Sequence, residues 1–119
     1  MGDYKFQSLL VYQLSLDYID LIYHIIGKMP EDERFNLSSQ LIRAATSIAL
    51  NIAEGSTGQS DREQIRFLSL ATRSYVETVA CLDLIQRRGY IVVDDLNCAR
   101  KAGRTLFYKI TKFQKALRA

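Results

Sequence analysis

The stretch RAATSIALNIAEG, residues 43–55, decides the fold of this 119-residue chain. Its alanines are strong helix formers, and Ile48 and Ile52 continue from Leu41 at the spacing of one helical face. The small side chains between them allow a neighbouring helix to approach closely. Gly55 is predicted to follow the last helical residue, where a positive φ angle is common. The stretch therefore predicts a core helix that packs closely against another helix.

A polar line runs through this apolar helix at spacings of four, four and three residues. We call it the polar stripe, and its members are Arg43, Ser47, Asn51 and Glu54. Residues at this spacing lie on one side of a helix, and polar groups in a core helix need partners. The stripe predicts a specific contact, either with another helix of the same chain or with another copy of the chain.

Ion pairs with the following helix are the hypothesis for the two ends of the polar stripe. Glu54 is expected to meet Arg62 or Arg66 across the turn, and Arg43 is expected to meet Glu77. Removing one member of a buried ion pair typically costs about 3–5 kcal/mol.

Three further segments with apolar residues at alternating spacings of three and four predict three more helices. The first helix of the chain stops at Gly27 and Pro30, and the helix that contains residues 43–55 begins near Asn36. The predicted fold class is all-α, a single domain over residues 1–119. Its architecture is an antiparallel up-down-up-down four-helix bundle with helices near 5–26, 37–54, 61–88 and 95–117.

The ends of the third and fourth helices carry recognisable signals. Ser60 and Glu63 form the sequence pattern of a capping box, and Gly89 is predicted to cap the third helix. The fourth helix is predicted to start at Asp94, with Val93 as a possible hydrophobic staple. The third helix also has two apolar rows where a four-helix interior needs one. The surplus row predicts a homo-oligomer.

Composition and cysteine spacing exclude several classes of protein. With 48% hydrophobic and 24% charged residues, the chain is typical of a globular protein, and no segment predicts a signal peptide or a membrane span. Cys81 and Cys98 fit no metal-ligand spacing, and both are expected to be small buried side chains. We expect a cytoplasmic protein without a membrane partner.

The sequence offers no set of residues that would support catalysis. Its one histidine, His24, follows Asp20 by one helical turn, which suggests a simple Asp–His pair. The Glu-x-x-His pairs of di-metal helix bundles and the glycine loops that bind phosphates are both missing from the sequence. We therefore expect no enzymatic activity, no metal and no cofactor.

Positive charge is concentrated at the C-terminal end of the chain. Residues 86–119 contain nine Lys/Arg and two Asp/Glu, a local net charge of +7, whereas residues 1–85 contain seven and eleven, a net charge of −4. An apolar row of the fourth helix, through Leu96, Leu106 and Ile110, would face the core and leave the cations opposite it. We call six of these cations, with Tyr108 among them and Arg87 and Arg88 nearby, the basic face; its members are Arg87, Arg88, Arg100, Lys101, Arg104, Tyr108, Lys112, Lys115 and Arg118.

Two functions and one neutral interpretation are compatible with the basic face. Rigidly held cations bind a phosphate backbone without reading its sequence, and Tyr108 offers a ring on which a base can stack. The first hypothesis is therefore binding to RNA or DNA. The second is a structural or adaptor oligomer whose ligand is another protein. In the neutral interpretation the face is merely a solvated helix surface.

The chain also resembles the bacterial four helix bundle protein family. The resemblance is carried by residues 41–48 and 51–55, followed by Ser60, Glu63, Phe67, Leu68, Gly89 and Tyr90. That family includes proteins encoded in intervening sequences of 23S ribosomal RNA genes, and it is related to the accessory proteins of diversity-generating retroelements. Family members often have proline where Ala49 and Leu50 stand here, so a straighter helix is expected.

The resemblance implies a homopentamer without enzymatic activity. It makes the polar stripe and Gly55 a structural signature of the family. It also favours RNA or DNA as a partner, with a reverse transcriptase or another protein as a further possible partner.

Overall fold

The computed structural model describes residues 2–58 and 60–119. Four α-helices follow one another along the chain: α1, Leu10–Ile26; α2, Leu37–Gly55; α3, Asp61–Arg88; and α4, Val93–Arg118. Short 3-10 turns occupy Lys5–Ser8 and Glu31–Glu33, and no strand occurs in the described residues. The helices form an antiparallel bundle that measures 43 × 26 × 22 Å, which confirms the predicted fold class.

The four helices form a closed square around one core. α1 packs against α2, α2 against α3, α3 against α4, and α4 against α1. The backbones of diagonally opposite helices remain apart, but one side chain crosses the core between them. The buried Tyr18 hydroxyl of α1 lies 2.8 Å from the Thr78 hydroxyl of α3. This hydrogen bond satisfies both hydroxyls inside the core.

Capping residues explain where α3 begins and ends. The Ser60 hydroxyl accepts a hydrogen bond from the Glu63 backbone N–H at 3.1 Å, which satisfies an otherwise unpaired donor at the start of α3. The Glu63 side chain pairs with Arg66 instead of completing the capping box. Gly89 ends α3 at φ +71°, which confirms the predicted glycine cap.

Gly55 has a different role from the predicted one. It is the last helical residue of α2, and its φ angle is not positive. The positive φ angle occurs at Gly58, in the turn that follows. The constraint at Gly55 is close approach: a Cβ atom there would lie 2.6 Å from the Cβ of Phe67 on α3. Glycine is thus required because α2 and α3 pack closely at this point.

Two helix starts differ from the prediction. α1 begins at Leu10 because Leu9 is extended (ψ 133°) and separates it from the 3-10 turn before it. α4 begins at Val93, one residue before Asp94, and Val92 is its capping residue. Val93 is exposed and therefore makes no hydrophobic staple. Cys81 is buried as expected, but Cys98 is exposed on α4.

Candidate nucleic-acid interface

The orientation of α4 follows from its buried row. Leu96, Ala99, Leu106 and Ile110 are completely buried, and Gly103 sits against the rings of Tyr18 and Tyr75. These positions recur every three or four residues, so one side of α4 is fixed against the core. The side chains opposite that row must therefore extend into solvent.

Most of the basic face lies in solvent as predicted. Its exposed members are Arg87, Arg88, Lys101, Arg104, Tyr108, Lys112, Lys115 and Arg118. The five that lie centrally on α4, from Lys101 to Lys115, are spaced by three, four, four and three residues and so share one side of the helix.

Arg100 is the exception within the basic face. Its side chain is only 19% exposed, and its Nη2 donates to Asp83 Oδ1 at 2.9 Å and to Gln86 Oε1 at 3.0 Å. It lies at the edge of the buried row, where α4 meets α3. Arg100 therefore ties α4 to α3, and its expected outward orientation was wrong.

Tyr108 is the aromatic centre of the exposed surface. Its side chain is 57% exposed, and the Nζ atoms of Lys112 and Lys109 lie 5.6 and 5.9 Å from its ring centroid. A base stacked on this ring would have two ammonium groups nearby for its phosphates. Lys109 was not included in the predicted basic face because it lies next to the apolar row. Its position directly after Tyr108 in the sequence is the signal that could have identified it.

A second aromatic side chain lies next to this surface. Phe107 is 40% exposed, and its ring stacks on that of Tyr75 with centroids 5.4 Å apart. The position of α4 is further fixed by Gln114, whose Nε2 donates to Ser69 Oγ at 2.8 Å and to the Ile65 carbonyl at 3.2 Å. The basic face thus belongs to a helix held rigidly against α3.

The middle of the polar stripe contacts α3. Asn51 Nδ2 donates to Ser47 Oγ at 3.1 Å and to the Ser47 carbonyl at 2.9 Å, and Ser74 Oγ of α3 donates to Ser47 Oγ at 2.9 Å. These bonds give the two middle members of the stripe, Ser47 and Asn51, partners within the chain, and they connect Ser47 to Ser74 of α3.

The ends of the polar stripe do not form the predicted ion pairs. In the described part of the chain neither Arg43 nor Glu54 has an ionic partner, and Arg66 pairs with Glu63 of its own helix at 3.1 Å. Arg43 and Glu77 instead line the same open groove of about 400 Å³ between α2 and α3. Both ends of the stripe are exposed, so their charges remain available to another molecule.

The end of the bundle that holds the α1–α2 and α3–α4 connections is joined by polar contacts. Lys28 Nζ donates to Asp95 Oδ2 at 2.7 Å and holds the pKa of that carboxyl below its usual range. His24 Nε2 lies 3.9 Å from the same oxygen, so its acidic neighbour is Asp95 and not the predicted Asp20. The Tyr90 hydroxyl donates to Glu33 Oε2 at 2.9 Å and lowers the pKa of Glu33.

The described residues contain neither a cluster of metal-ligating side chains nor a helix that could span a membrane. Across residues 2–58 and 60–119, no three His, Cys, Asp or Glu side chains converge as they would around a metal ion. None of the helices in this part of the chain combines the length and the apolar character needed to cross a membrane.

Comparisons with known proteins relate the chain to one family. The family model described as 23S rRNA-intervening sequence protein matches residues 7–112. A crystal structure of a protein of unknown function from the S23 ribosomal protein family of Bacteroides thetaiotaomicron VPI-5482 has a similar fold, with a TM-score of 0.82 and 26% sequence identity. The similarity covers 89% of this chain and 99% of that one. No curated protein matches the chain.

Proposed function

Because the chain belongs to the 23S rRNA-intervening sequence protein family, we propose that it is a non-enzymatic cytoplasmic protein that binds RNA or DNA through its basic face. The observation that carries the proposal is the placement of Lys101, Arg104, Tyr108, Lys112 and Lys115 along one exposed side of α4. The buried row on the opposite side prevents that helix from turning its cations away.

The arrangement is suited to phosphates more than to base edges. Lysines and arginines spread along a single helix at intervals of three and four residues can follow a charged backbone. None of the four central cations has a hydrogen-bonding or ionic partner in the described part of the chain. Binding is therefore expected to depend weakly on sequence and strongly on salt concentration.

Charge reversal on the basic face tests the proposal. We expect Lys101→Glu with Lys112→Glu to weaken binding and to reduce the slope of log K against log salt by at least about 1.4 for single strands, since each lost phosphate contact removes about 0.7. The measurement is fluorescence anisotropy with labelled RNA and DNA over a salt series. Neither lysine lies in the buried row, so the bundle should remain folded.

A matched pair of substitutions controls for net charge. Lys5→Glu with Arg34→Glu changes the charge by the same amount at two exposed sites outside α4. This control should retain most of the binding. If both double variants bind as the wild type does, the basic face is merely solvated; if both lose binding equally, the interaction depends on overall charge and not on α4.

Tyr108 is expected to distinguish single strands from duplexes. Tyr108→Ala should weaken single-strand binding by about 1–3 kcal/mol, since only an unpaired base can readily stack on the ring. Tyr108→Phe keeps the ring and serves as the control that should bind normally. The same anisotropy titration with single-stranded and double-stranded RNA of one sequence measures the difference. An equal loss for both forms would assign Tyr108 a role other than stacking.

A second candidate function is a structural or adaptor oligomer that binds a protein such as a reverse transcriptase. It is favoured by exposed apolar side chains on α2 and α3, among them Leu50, Val76 and Leu84, and by the open groove beside Arg43 and Glu77. In this proposal the unpaired ends of the polar stripe meet a second copy of the chain, and the assembly is a homopentamer.

Light scattering of the wild type and of Glu54→Ala tests this assembly. We expect the wild type to have the mass of five 13.6 kDa chains and the variant to have a smaller mass. Glu54 has no ionic partner within the described part of its own chain. The substitution should therefore change the stability of the isolated bundle by no more than about 0.5 kcal/mol. A wild-type monomer at micromolar concentration would contradict the oligomer proposal.

A further inference from the structure

A small groove between α3 and α4 brings together two guanidinium groups and a phenol. The groove has a volume of about 170 Å³ and is lined by Tyr18, Tyr75, Val79, Leu82, Arg100 and Arg104. Leu82 and Tyr18 are fully buried, so they form an apolar floor, and the arginines of α4 lie at the rim. Ligand pockets for drug-sized molecules begin at about 300 Å³, so this groove suits a single small group.

The hydroxyl of Tyr75 is a polar group without a partner at this groove. Tyr75 is only 8% exposed, and its side-chain oxygen makes no hydrogen bond within the described residues. No fully buried side-chain oxygen or nitrogen in the described part of the chain lacks a partner. The Tyr75 oxygen must therefore reach solvent, and the Tyr75 side chain lines the groove.

The two arginines also have donors to spare. Arg104 is exposed and has no ionic or hydrogen-bonding partner in the described residues. Arg100 uses only Nη2 in its bonds to Asp83 and Gln86, and its Nε and Nη1 have no partner among residues 2–58 and 60–119. Asp83 is the carboxylate that engages Arg100, and its own side chain is largely exposed on α3.

The charges at the groove favour an anion. Arginine remains charged at all physiological pH values, and its planar group matches the oxygens of a phosphate. Burial raises the pKa of the Tyr75 phenol, while Arg104 and Arg100 act in the opposite direction. The phenol is therefore protonated at neutral pH and can donate its proton to an oxyanion.

We propose that Arg100, Arg104 and the Tyr75 hydroxyl form a binding site for one phosphate group in the groove between α3 and α4. The site differs from the exposed row of lysines because it has a buried floor and a neutral donor. The phosphate can come from a nucleic-acid backbone or from a free phosphate, and the groove recognises the chemistry that these share. The site does not depend on nucleic-acid binding by the rest of the basic face.

Inorganic phosphate is the probe that tests this site. We expect a titration followed by two-dimensional NMR, at constant ionic strength in chloride, to produce saturable shifts confined to residues around the groove. Arg104→Gln and Tyr75→Phe should each weaken this binding about tenfold or more, because each removes one donor to a charged group. Arg73→Gln removes an exposed cation that lies outside both the groove and the basic face, and it should leave the phosphate affinity unchanged.

The variants keep the test decisive if one of them unfolds. Tyr75→Phe retains the ring that stacks on Phe107, and Arg104→Gln changes an exposed side chain, so at least the second should keep the native spectrum. Shifts that are non-saturable and spread over all cationic side chains would overturn the proposed site. Equal phosphate affinity in the wild type and in Arg104→Gln would overturn it as well.

Competition with RNA identifies the source of the phosphate. If inorganic phosphate displaces a single-stranded RNA as the shifts at the groove saturate, the site holds a backbone phosphate. If phosphate saturates the groove without displacing RNA, or if no RNA binds, the site holds a free phosphate. If RNA binds while phosphate does not saturate the groove, the phosphate site is refuted and the nucleic-acid proposal still stands.

Discussion

Replacing Tyr18 by alanine is expected to lower the free energy of unfolding by about 3–5 kcal/mol. The Tyr18 ring is fully buried in the core against α3 and α4, and its removal leaves a cavity that the bundle cannot easily fill. Burial also raises the pKa of its phenol to about 12, so the hydroxyl is neutral when it bonds to Thr78. Loss of the ring removes that bond together with the packing.

Two companion substitutions separate these effects. Tyr18→Phe keeps the ring and should cost only about 1 kcal/mol, the usual net value of one hydrogen bond. Tyr23→Ala changes an exposed tyrosine of the same helix and should alter stability by about 0.5 kcal/mol or less. Urea unfolding followed by circular dichroism measures all three variants. A Tyr18→Ala protein as stable as Tyr23→Ala would contradict the packing described for α1.

The second large loss of stability is expected when a methyl group is added at either of two close contacts between helices. We expect Gly55→Ala and Gly103→Ala each to destabilise the bundle by about 1–3 kcal/mol through overpacking. At Gly55 the new Cβ would meet the Phe67 Cβ at 2.6 Å, and at Gly103 it would meet the rings of Tyr75 and Tyr18 at 2.8 and 2.9 Å. The Phe67 Cβ is attached directly to the α3 backbone, and Tyr18 and Tyr75 are buried, so none of these neighbours can easily move aside.

Gly27→Ala is the matched control for both glycines. Gly27 has an ordinary right-handed conformation at the end of α1, and an added Cβ would find no atom closer than 3.5 Å. Alanine there should be neutral or stabilise by up to about 1 kcal/mol, since it restricts the unfolded chain. Thermal unfolding of the three variants provides the comparison. Equal effects at all three positions would mean that helix propensity, and not close approach, controls them.

Much of the fold could be predicted because each helix carries its own periodic signal. The apolar row of α4 predicted which side of that helix is buried, and Ser60 and Gly89 correctly marked the two ends of α3. The predicted α-helix over residues 5–9 was wrong because an apolar pattern does not reveal that Leu9 is extended. Periodicity describes directions around one helix and says little about where the backbone leaves it.

Distances between helices were beyond the sequence argument. Gly55 was expected to provide positive φ, yet its role depends on how closely Phe67 approaches from another helix. Arg100 was assigned to the solvent, yet Asp83 and Gln86 of α3 draw it inward. Cys98 was expected to be buried, but the turn of α4 places it outside the apolar row. The roles of Gly55 and Arg100 depend on a neighbouring helix whose register no single-helix pattern specifies.

The sequence predicted where the candidate site lies better than it predicted the side-chain contacts within the site. The excess of positive charge beyond residue 86 and the apolar row of α4 together located the exposed cations. The cations around Tyr108, the stacked pair of Phe107 with Tyr75 and the groove beside Arg104 needed side-chain positions. These are the features that convert a general basic surface into specific contacts.

Photocrosslinking tests the central proposal most directly. The wild type would be mixed with single-stranded RNA that contains 4-thiouridine, irradiated, digested and analysed by mass spectrometry. The basic face predicts that crosslinked peptides come from α4, with Tyr108 as the principal site, and that they decrease as salt rises. Crosslinks found only on α1 and α2, or none at a concentration where the RNA is bound, would contradict the assignment of nucleic-acid binding to α4.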